Sequence, residues 1–96
     1  MDRSTRFVIQ NGATVPLLLC VEPEAVDVIL QEDEEVAVYD SFAQHPVTLR
    51  VTRSDSGEAI ISIWPGDGDV IVKKDGVDVL DLVEVNEAVA PIHLKP

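Results

Sequence analysis

The sequence has few of the residues on which several kinds of function depend. Its 96 residues include one cysteine, one tryptophan, one tyrosine and two phenylalanines. The lone Cys20 excludes a disulfide within the chain, whereas secreted domains of this size often depend on several. We therefore expect a protein that folds in the reducing cytoplasm.

Positive charge is also scarce. Seven lysines and arginines stand against eighteen aspartates and glutamates, which gives a formal net charge of −11. No stripe of basic residues offsets the repulsion that this charge produces at phosphate backbones or anionic lipid headgroups. The composition therefore argues against direct binding to nucleic acid or to a membrane surface.

The chain contains no long apolar run. The longest, Val15 to Val21, includes Pro16 and is far shorter than the ~20 residues that a transmembrane helix needs. Polar residues at Gln10 to Gly12 interrupt the amino-terminal apolar stretch, and Leu19 is too large for the cleavage position of a lipoprotein signal. We expect neither a membrane span nor a signal peptide.

Aliphatic residues, in contrast, are plentiful. Hydrophobic residues make up 46% of the chain, which is more burial potential than disordered chains possess. A chain of this length is suited to one hydrophobic core, so we expect a single domain over residues 1–96.

The aliphatic residues alternate with other residues, as they do in strands. Val26, Val28 and Leu30 are spaced by two, and Val47, Leu49 and Val51 alternate with Thr48, Arg50 and Thr52. Side chains of a strand point alternately to its two faces. The pattern therefore places the aliphatic side chains at 26, 28 and 30 and at 47, 49 and 51 on a core, and it places Thr48, Arg50 and Thr52 in solvent.

Turn residues separate the expected strands. Ser54 to Gly57 lies between the strand at Val47 and a β-branched run at Glu58 to Trp64, which predicts a hairpin. Asp75-Gly76 lies between the run from Val70 and the run Val77 to Val83. Both residues tolerate the positive φ of a two-residue type I′ turn, so a second hairpin is expected there.

Seven or eight short strands joined by hairpins predict an all-β fold, either an antiparallel sandwich or a small barrel. Further strands are expected at Phe7 to Gln10, at Leu17 to Glu22 and after the acidic residues that follow Leu30. Residues 85–96 contain Pro91 and Pro96, which restrict ladder pairing, and are expected to form a loosely ordered tail or an edge strand.

The stretch "WPGDGDV" at Trp64 to Val70 could be a calcium loop, an acid pair or a bend. Asp67 and Asp69 match the first two ligands of an EF-hand, but Ile71 occupies the place of the third, and Asp78 occupies that of the final glutamate.

A bend between two strands accounts for the same residues more simply. Pro65 fixes φ, Gly66 and Gly68 accept positive φ, and aspartates favour loops through local hydrogen bonds to the backbone. Two carboxylates in an exposed turn also lack the contrasting environments that acid–base catalysis requires. The stretch is therefore predicted to be a bend, with neither a metal nor a catalytic role.

Nucleophilic catalysis by Cys20 would need a nearby base such as His45 or His93. A thiol within "PLLLCVE" is more typical of a small buried hydrophobe in a strand, and both histidines are expected at the surface. The sequence therefore identifies no catalytic, cofactor-binding or metal-binding residues.

Tyr39, Phe42 and Trp64 leave two interpretations open. They could form an exposed platform for a sugar or a peptide, but in a chain with 4% aromatic residues they are expected to pack in or beside the core.

The strongest asymmetry in the sequence is an acidic segment without any lysine or arginine. It is interpreted either as a solvated face or as a surface that attracts a basic partner protein. We take its densest part, Glu32, Asp33, Glu34 and Glu35, as the candidate partner-binding site. The acids of the segment are Glu22, Glu24, Asp27, Glu32, Asp33, Glu34, Glu35 and Asp40.

Three fragments resemble a family of short bacterial β proteins of unknown function. They are "EPEAVDVIL" from Glu22, "IWPGDGDVIV" from Ile63 and "KDG" from Lys74, which together with the residues between them span about half of the chain. The resemblance implies a β fold and a bacterial source, and it implies no activity.

The first functional hypothesis is a non-catalytic protein-interaction module that uses the acidic segment against a basic protein surface. The second is a ligand-binding barrel or small enzyme, which would need a cavity of roughly 300 Å³ or more. The third is an inhibitor or immunity-type protein whose acids form one continuous face and block a basic site. The sequence leaves the oligomeric state open.

Overall fold

The computed structural model describes residues 2–81 and shows eight strands with almost no helix, which confirms the all-β prediction. The strands are β1 (Arg3–Gln10), β2 (Leu17–Val21), β3 (Val26–Leu30), β4 (Glu35–Phe42), β5 (Thr48–Arg53), β6 (Ala59–Trp64), β7 (Asp69–Lys74) and β8 (Val77–Asp78).

The strands form two separate four-stranded sheets, so the fold is a sandwich. The first sheet has the order β1-β4-β7-β8 and is antiparallel throughout. The second has the order β3-β2-β6-β5, and its central pair, β2 and β6, runs parallel. This parallel pair differs from the antiparallel expectation, which came from hairpin turns; β2 and β6 are not joined by a hairpin, so no tight turn sets their relative direction.

The core lies between the facing sheets and follows the predicted alternation. In β3, the side chains of Val26, Val28 and Leu30 are buried, whereas Asp27 and Ile29 are exposed. Burying one such aliphatic side chain contributes about 1.5–3 kcal/mol. The core cluster consists of Leu19, Val21, Val26, Val28, Leu30 and Ile63 from the second sheet, Val36, Val38 and Val72 from the first, and Val79.

The prediction that Val47, Leu49 and Val51 lie in the core is wrong for the last two. Leu49 is 42% exposed and Val51 is 69% exposed. The register pairs Leu49 with the buried Ile63, so the alternation is correct. However, β5 is an edge strand and supplies none of the buried core residues. Alternation in the sequence predicts which face of the strand a side chain lies on, but it does not show whether another sheet covers that face.

Both predicted hairpins are present. β5 and β6 pair through Arg53 and Ala59, and the turn between them is closed by the hydrogen bond from Ser54 N to Glu58 O at 2.8 Å. β7 and β8 are joined by Asp75 and Gly76, with φ of 53° and 80°. Positive φ at both positions is the signature of the type I′ turn.

The strand predicted over Val77 to Val83 ends at Asp78. Residues 79–81 are helical, and the Asp78 side chain accepts a hydrogen bond from Leu80 N at 2.9 Å, as a helix N-cap does. Asp78 therefore stops the strand and starts a helix. The tail predicted at residues 85–96 lies outside the described residues. No helix within residues 2–81 has the length and apolarity needed to cross a membrane.

The stretch from Trp64 to Asp69 is the predicted bend, since β6 ends at the first residue and β7 begins at the last. The expected reason for its glycines is wrong, because within residues 2–81 the glycines with positive φ are Gly57 and Gly76. At Gly66 a Cβ atom would collide with the His45 carbonyl, and at Gly68 with the Ser41 carbonyl. Both glycines are therefore required for close approach of two backbone segments.

Replacing Gly68 with alanine is expected to destabilise the protein by about 1–3 kcal/mol, because the added methyl group meets backbone atoms that cannot rotate away. Urea unfolding monitored by fluorescence of the single Trp64 measures the change. Gly12→Ala is the matched control, since a Cβ atom at Gly12 has no neighbour within 4 Å. Equal unfolding midpoints for the two variants would contradict this explanation.

Candidate functional site

The candidate acidic residues lie in a tight turn, residues 31–34, and at Glu35, the first residue of β4; we call residues 31–35 together the acidic loop. It carries the chain from β3 in the second sheet to β4 in the first. Asp33 has a positive φ of 66°, and the Glu34 amide donates to Gln31 O at 3.0 Å. The loop is therefore a defined turn.

Asn11 attaches this turn to the rest of the protein. Asp33 N donates to Asn11 O at 2.7 Å, and Asn11 N donates to Glu34 O at 2.9 Å. The buried Asn11 side chain also donates from Nδ2 to the carbonyl oxygens of Val15 and Leu30, both at 2.9 Å. The sequence does not identify this role of Asn11, because its partners Leu30, Asp33 and Glu34 are far away along the chain.

Glu34 differs from the other candidate residues. Its Oε1 accepts a hydrogen bond from Gln31 N at 2.7 Å, and its Oε2 pairs with Lys74 Nζ at 3.3 Å. The Gln31 hydrogen bond and then Lys74 lower the pKa of the Glu34 carboxyl. Glu34 thus braces the loop, whereas Glu32, Asp33 and Glu35 are exposed to solvent.

The remaining acids of the segment do not join the loop in one face. Asp40 is only 2% exposed, and its Oδ2 accepts a hydrogen bond from Val47 N at 2.8 Å. The expectation that the segment is solvated throughout is therefore wrong at Asp40, which points inward from β4. Glu22 and Glu24 precede β3, so they lie at the opposite end of that strand from the acidic loop.

Cys20 lies on β2, as expected, but its side chain is half-buried beside an acid. Its Sγ donates to Asp27 Oδ1 at 3.2 Å. Burial, followed by the hydrogen bond and charge of Asp27, raises the pKa of the Cys20 thiol to about 11. The reactive thiolate is therefore scarce at neutral pH, which disfavours a nucleophilic role. His45 is exposed in the loop after β4, and His93 lies outside the described residues.

Asp67, one of the two aspartates of the bend, has a clear structural role. Its carboxylate accepts hydrogen bonds from three consecutive backbone amides, those of Ala43 and Gln44 at 2.9 Å and that of His45 at 3.0 Å. The bonds from Gln44 and Ala43 lower the pKa of Asp67. Within residues 2–81, no group of three or more histidine, cysteine or acidic side chains is placed to hold a metal.

Asp67→Asn is expected to lower the free energy of unfolding at neutral pH, because a neutral amide accepts these bonds less strongly. The folded-state pKa of Asp67 is lowered, so its stabilisation is complete above the unfolded pKa of about 3.9 and disappears as pH falls through the folded value. The difference in stability between wild type and variant should therefore shrink in acid.

Urea unfolding at neutral and acidic pH checks this expectation. Asp69→Asn is the matched control, because it removes the same charge from the same bend. A control variant that is as unstable as Asp67→Asn, or a difference that persists unchanged in acid, would show that the three amide bonds contribute little.

The three aromatic residues do not share a platform. Phe42 is buried, as expected. Tyr39 lies on the outer face of the first sheet, opposite Arg6 of β1 and Ile71 of β7. Trp64 lies at the end of β6 in the second sheet and is 41% exposed. The expectation of packing in or beside the core is therefore confirmed for Phe42 and wrong for Tyr39 and Trp64.

Tyr39 is held between two cations. Arg6 Nε donates to Tyr39 Oη at 3.3 Å, and the charged groups of Arg6 and Lys73 lie 5.5 and 5.4 Å from the ring centroid. Both distances are within the range of a cation–π contact. The hydrogen bond from Arg6, with the charges of Arg6 and Lys73, lowers the pKa of the Tyr39 phenol. Sequence alone did not identify this cluster, because its members come from three strands.

Tyr39 is the single tyrosine, so the ultraviolet absorbance of phenolate reports its ionisation alone. We expect it to titrate below the ordinary pKa of about 10. Arg6→Gln should raise the pKa because it removes the largest cause of the shift, and Lys73→Gln should raise it less. Arg3→Gln, on the same strand, is the control, and an equal effect of Arg3→Gln and Arg6→Gln would refute the contact.

A groove of about 380 Å³ lies beside β7, and we call it the β7 groove. Two other hollows, of about 420 and 280 Å³, lie beside Tyr39. Between the sheets the core is closed, since Leu19, Leu30, Val38 and Ile63 expose none of their surface. The β7 groove is lined by Val21, Glu22, Pro23, Glu24, Pro65, Gly68, Asp69, Val70, Ile71, Val72, Asp78, Val79 and Leu80.

Comparison with known proteins identified no similar family model, no similar curated protein and no similar solved structure. The resemblance of three fragments to a family of short bacterial β proteins therefore stays a prediction.

Proposed function

We propose that this protein is a module that binds basic protein surfaces, and that the acidic loop guides the partner during association. The proposal rests on how few of the carboxylates in the described residues form ion pairs. Among residues 2–81, the single ion pair within 4.0 Å is the one between Lys74 and Glu34. The field of the remaining exposed acids is therefore not neutralised by neighbouring cations and is available to a partner.

The acidic loop suits this role because its charges are held in place. Hydrogen bonds to Asn11 and the brace formed by Glu34 fix the turn. Glu32, Asp33 and Glu35 consequently project from a backbone that needs little further ordering. Preorganisation of this kind reduces the entropy lost on binding, and complementary charge speeds the encounter of two proteins.

The positions of the acids and the closed core favour this module over the two alternatives. An inhibitor that covers a basic site requires one continuous acidic face, but Glu22 and Glu24 lie at the opposite end of β3 from the acidic loop. A ligand-binding barrel requires its cavity in the interior, but the chain forms a sandwich with a closed core, and the hollows of about 280 to 420 Å³ are open at its surface.

The test is a variant with Glu32→Gln, Asp33→Asn and Glu35→Gln, which leaves the Glu34 brace intact. Its association with an immobilised Arg-rich peptide should slow by about tenfold at low salt, and its rate should depend less on salt concentration. Surface plasmon resonance at several salt concentrations measures both effects.

The control variant carries Asp2→Asn, Asp55→Asn and Asp81→Asn, three exposed acids outside the loop. It changes the net charge by the same amount. If both variants slow association equally, the effect comes from net charge alone and the acidic loop has no special role.

A further inference from the structure

One edge of β7 is open over most of its length. On one side β7 pairs with β4 from Asp69 to Lys73. On the other side it pairs with β8 only through Lys73 and Lys74, because Asp78 ends β8. Within residues 2–81, no strand pairs with residues 69–72 on that side.

The backbone groups along this open edge can be identified from the turn that follows β7. In a type I′ hairpin the carbonyl of the residue before the turn bonds to the amide of the residue after it, so Lys74 directs its backbone groups towards Val77 of β8. Alternate residues of a strand direct their N–H and C=O groups to the same side. Val70 and Val72 therefore direct theirs to the open edge.

The β7 groove runs along this edge and has two kinds of lining. Apolar side chains come from both sheets and include Val21, Val70, Val72 and Leu80. The charged residues that line the groove are all acidic: Glu22, Glu24, Asp69 and Asp78. An apolar lining with acidic groups complements a chain whose side chains alternate between apolar and basic, because alternate side chains of a strand point to opposite faces.

We propose that an extended segment of a partner protein, with alternating apolar and basic residues, adds as a strand to β7 at residues 69–72. Backbone hydrogen bonds to Val70 and Val72 supply part of the affinity, and the groove selects the side chains, as in other cases of strand addition. The inference rests on the proposed function in taking a basic partner, and it adds a second contact that is distinct from the acidic loop.

Charge complementarity favours this occupant over a second copy of the chain. A second copy would bring its own acidic groove residues to the edge, and like charges across a strand pair are destabilising. A basic segment instead meets opposite charge.

The experiment uses the full chain, isotope-labelled for NMR, with a synthetic peptide of alternating valine and lysine. Binding should shift the amide signals of residues 69–72 and slow hydrogen exchange at Val70 and Val72. A peptide of the same sequence, N-methylated on the amides of one edge, keeps the charge but cannot complete the ladder, and it should bind more weakly by about tenfold.

Two variants with equal charge change separate the groove from the acidic loop. Glu22→Gln with Glu24→Gln should weaken binding of the alternating peptide by about fivefold, since each exposed charge pair contributes modestly. Glu32→Gln with Glu35→Gln should have a smaller effect. If instead the loop pair has the larger effect, strand addition at β7 is refuted while the proposed function stands.

Three other results would also overturn the inference. Slow exchange of Val70 and Val72 in the free protein would show that the edge is already paired, either by the chain itself or, if the protection rises with protein concentration, by a second copy. Equal affinity for the two peptides would show that charge alone holds them. If the alternating peptide does not bind, strand addition at the β7 groove is refuted. The Arg-rich peptide tests the acidic loop independently.

Discussion

The sandwich depends on how the chain crosses from the first sheet to the second after Phe42. Residues 43–47 offer backbone amides that belong to no strand, and such groups require acceptors. Asp67 accepts from three of them, and Asp40 accepts from Val47. Because Gly68 lacks a Cβ atom, the bend that carries Asp67 comes close enough to β4 to make these contacts. The crossover is thus fixed from both sides by carboxylates.

The same need for acceptors divides the many acids of this chain into two groups. Asp40, Asp67 and Glu34 satisfy backbone amides, and Asp78 caps a helix. These carboxylates are part of the architecture, because each accepts at least one backbone N–H, although the buried Oδ1 of Asp40 has no hydrogen-bond partner. The exposed acids without such partners supply the negative field at the protein surface. Net charge alone therefore overstates the surface available for recognition and gives no indication of where it lies.

Features that depend on neighbouring residues could be predicted from the sequence. Alternation in β3 and the Asp75-Gly76 turn are set by local sterics, and both are present. The parallel pairing of β2 with β6, the burial of Asp40 and the exposure of Val51 depend on which distant strands become neighbours. The candidate site divides similarly, because its acidic residues stand out in the sequence, whereas the brace between Glu34 and Lys74 joins residues forty positions apart.

Strand edges are where a β sandwich is most exposed to unwanted association, and charge offers a means of control. β5 ends in Arg53 and also carries Arg50, so two copies of that edge would bring like charges together. The open edge of β7 has the opposite sign, since its groove is lined by Glu22, Glu24 and Asp69. Repulsion between identical edges disfavours pairing of two copies through either of them. Within residues 2–81 the acidic edge also combines unpaired backbone at residues 69–72 with a partly apolar groove, which is why the proposed strand addition is placed there.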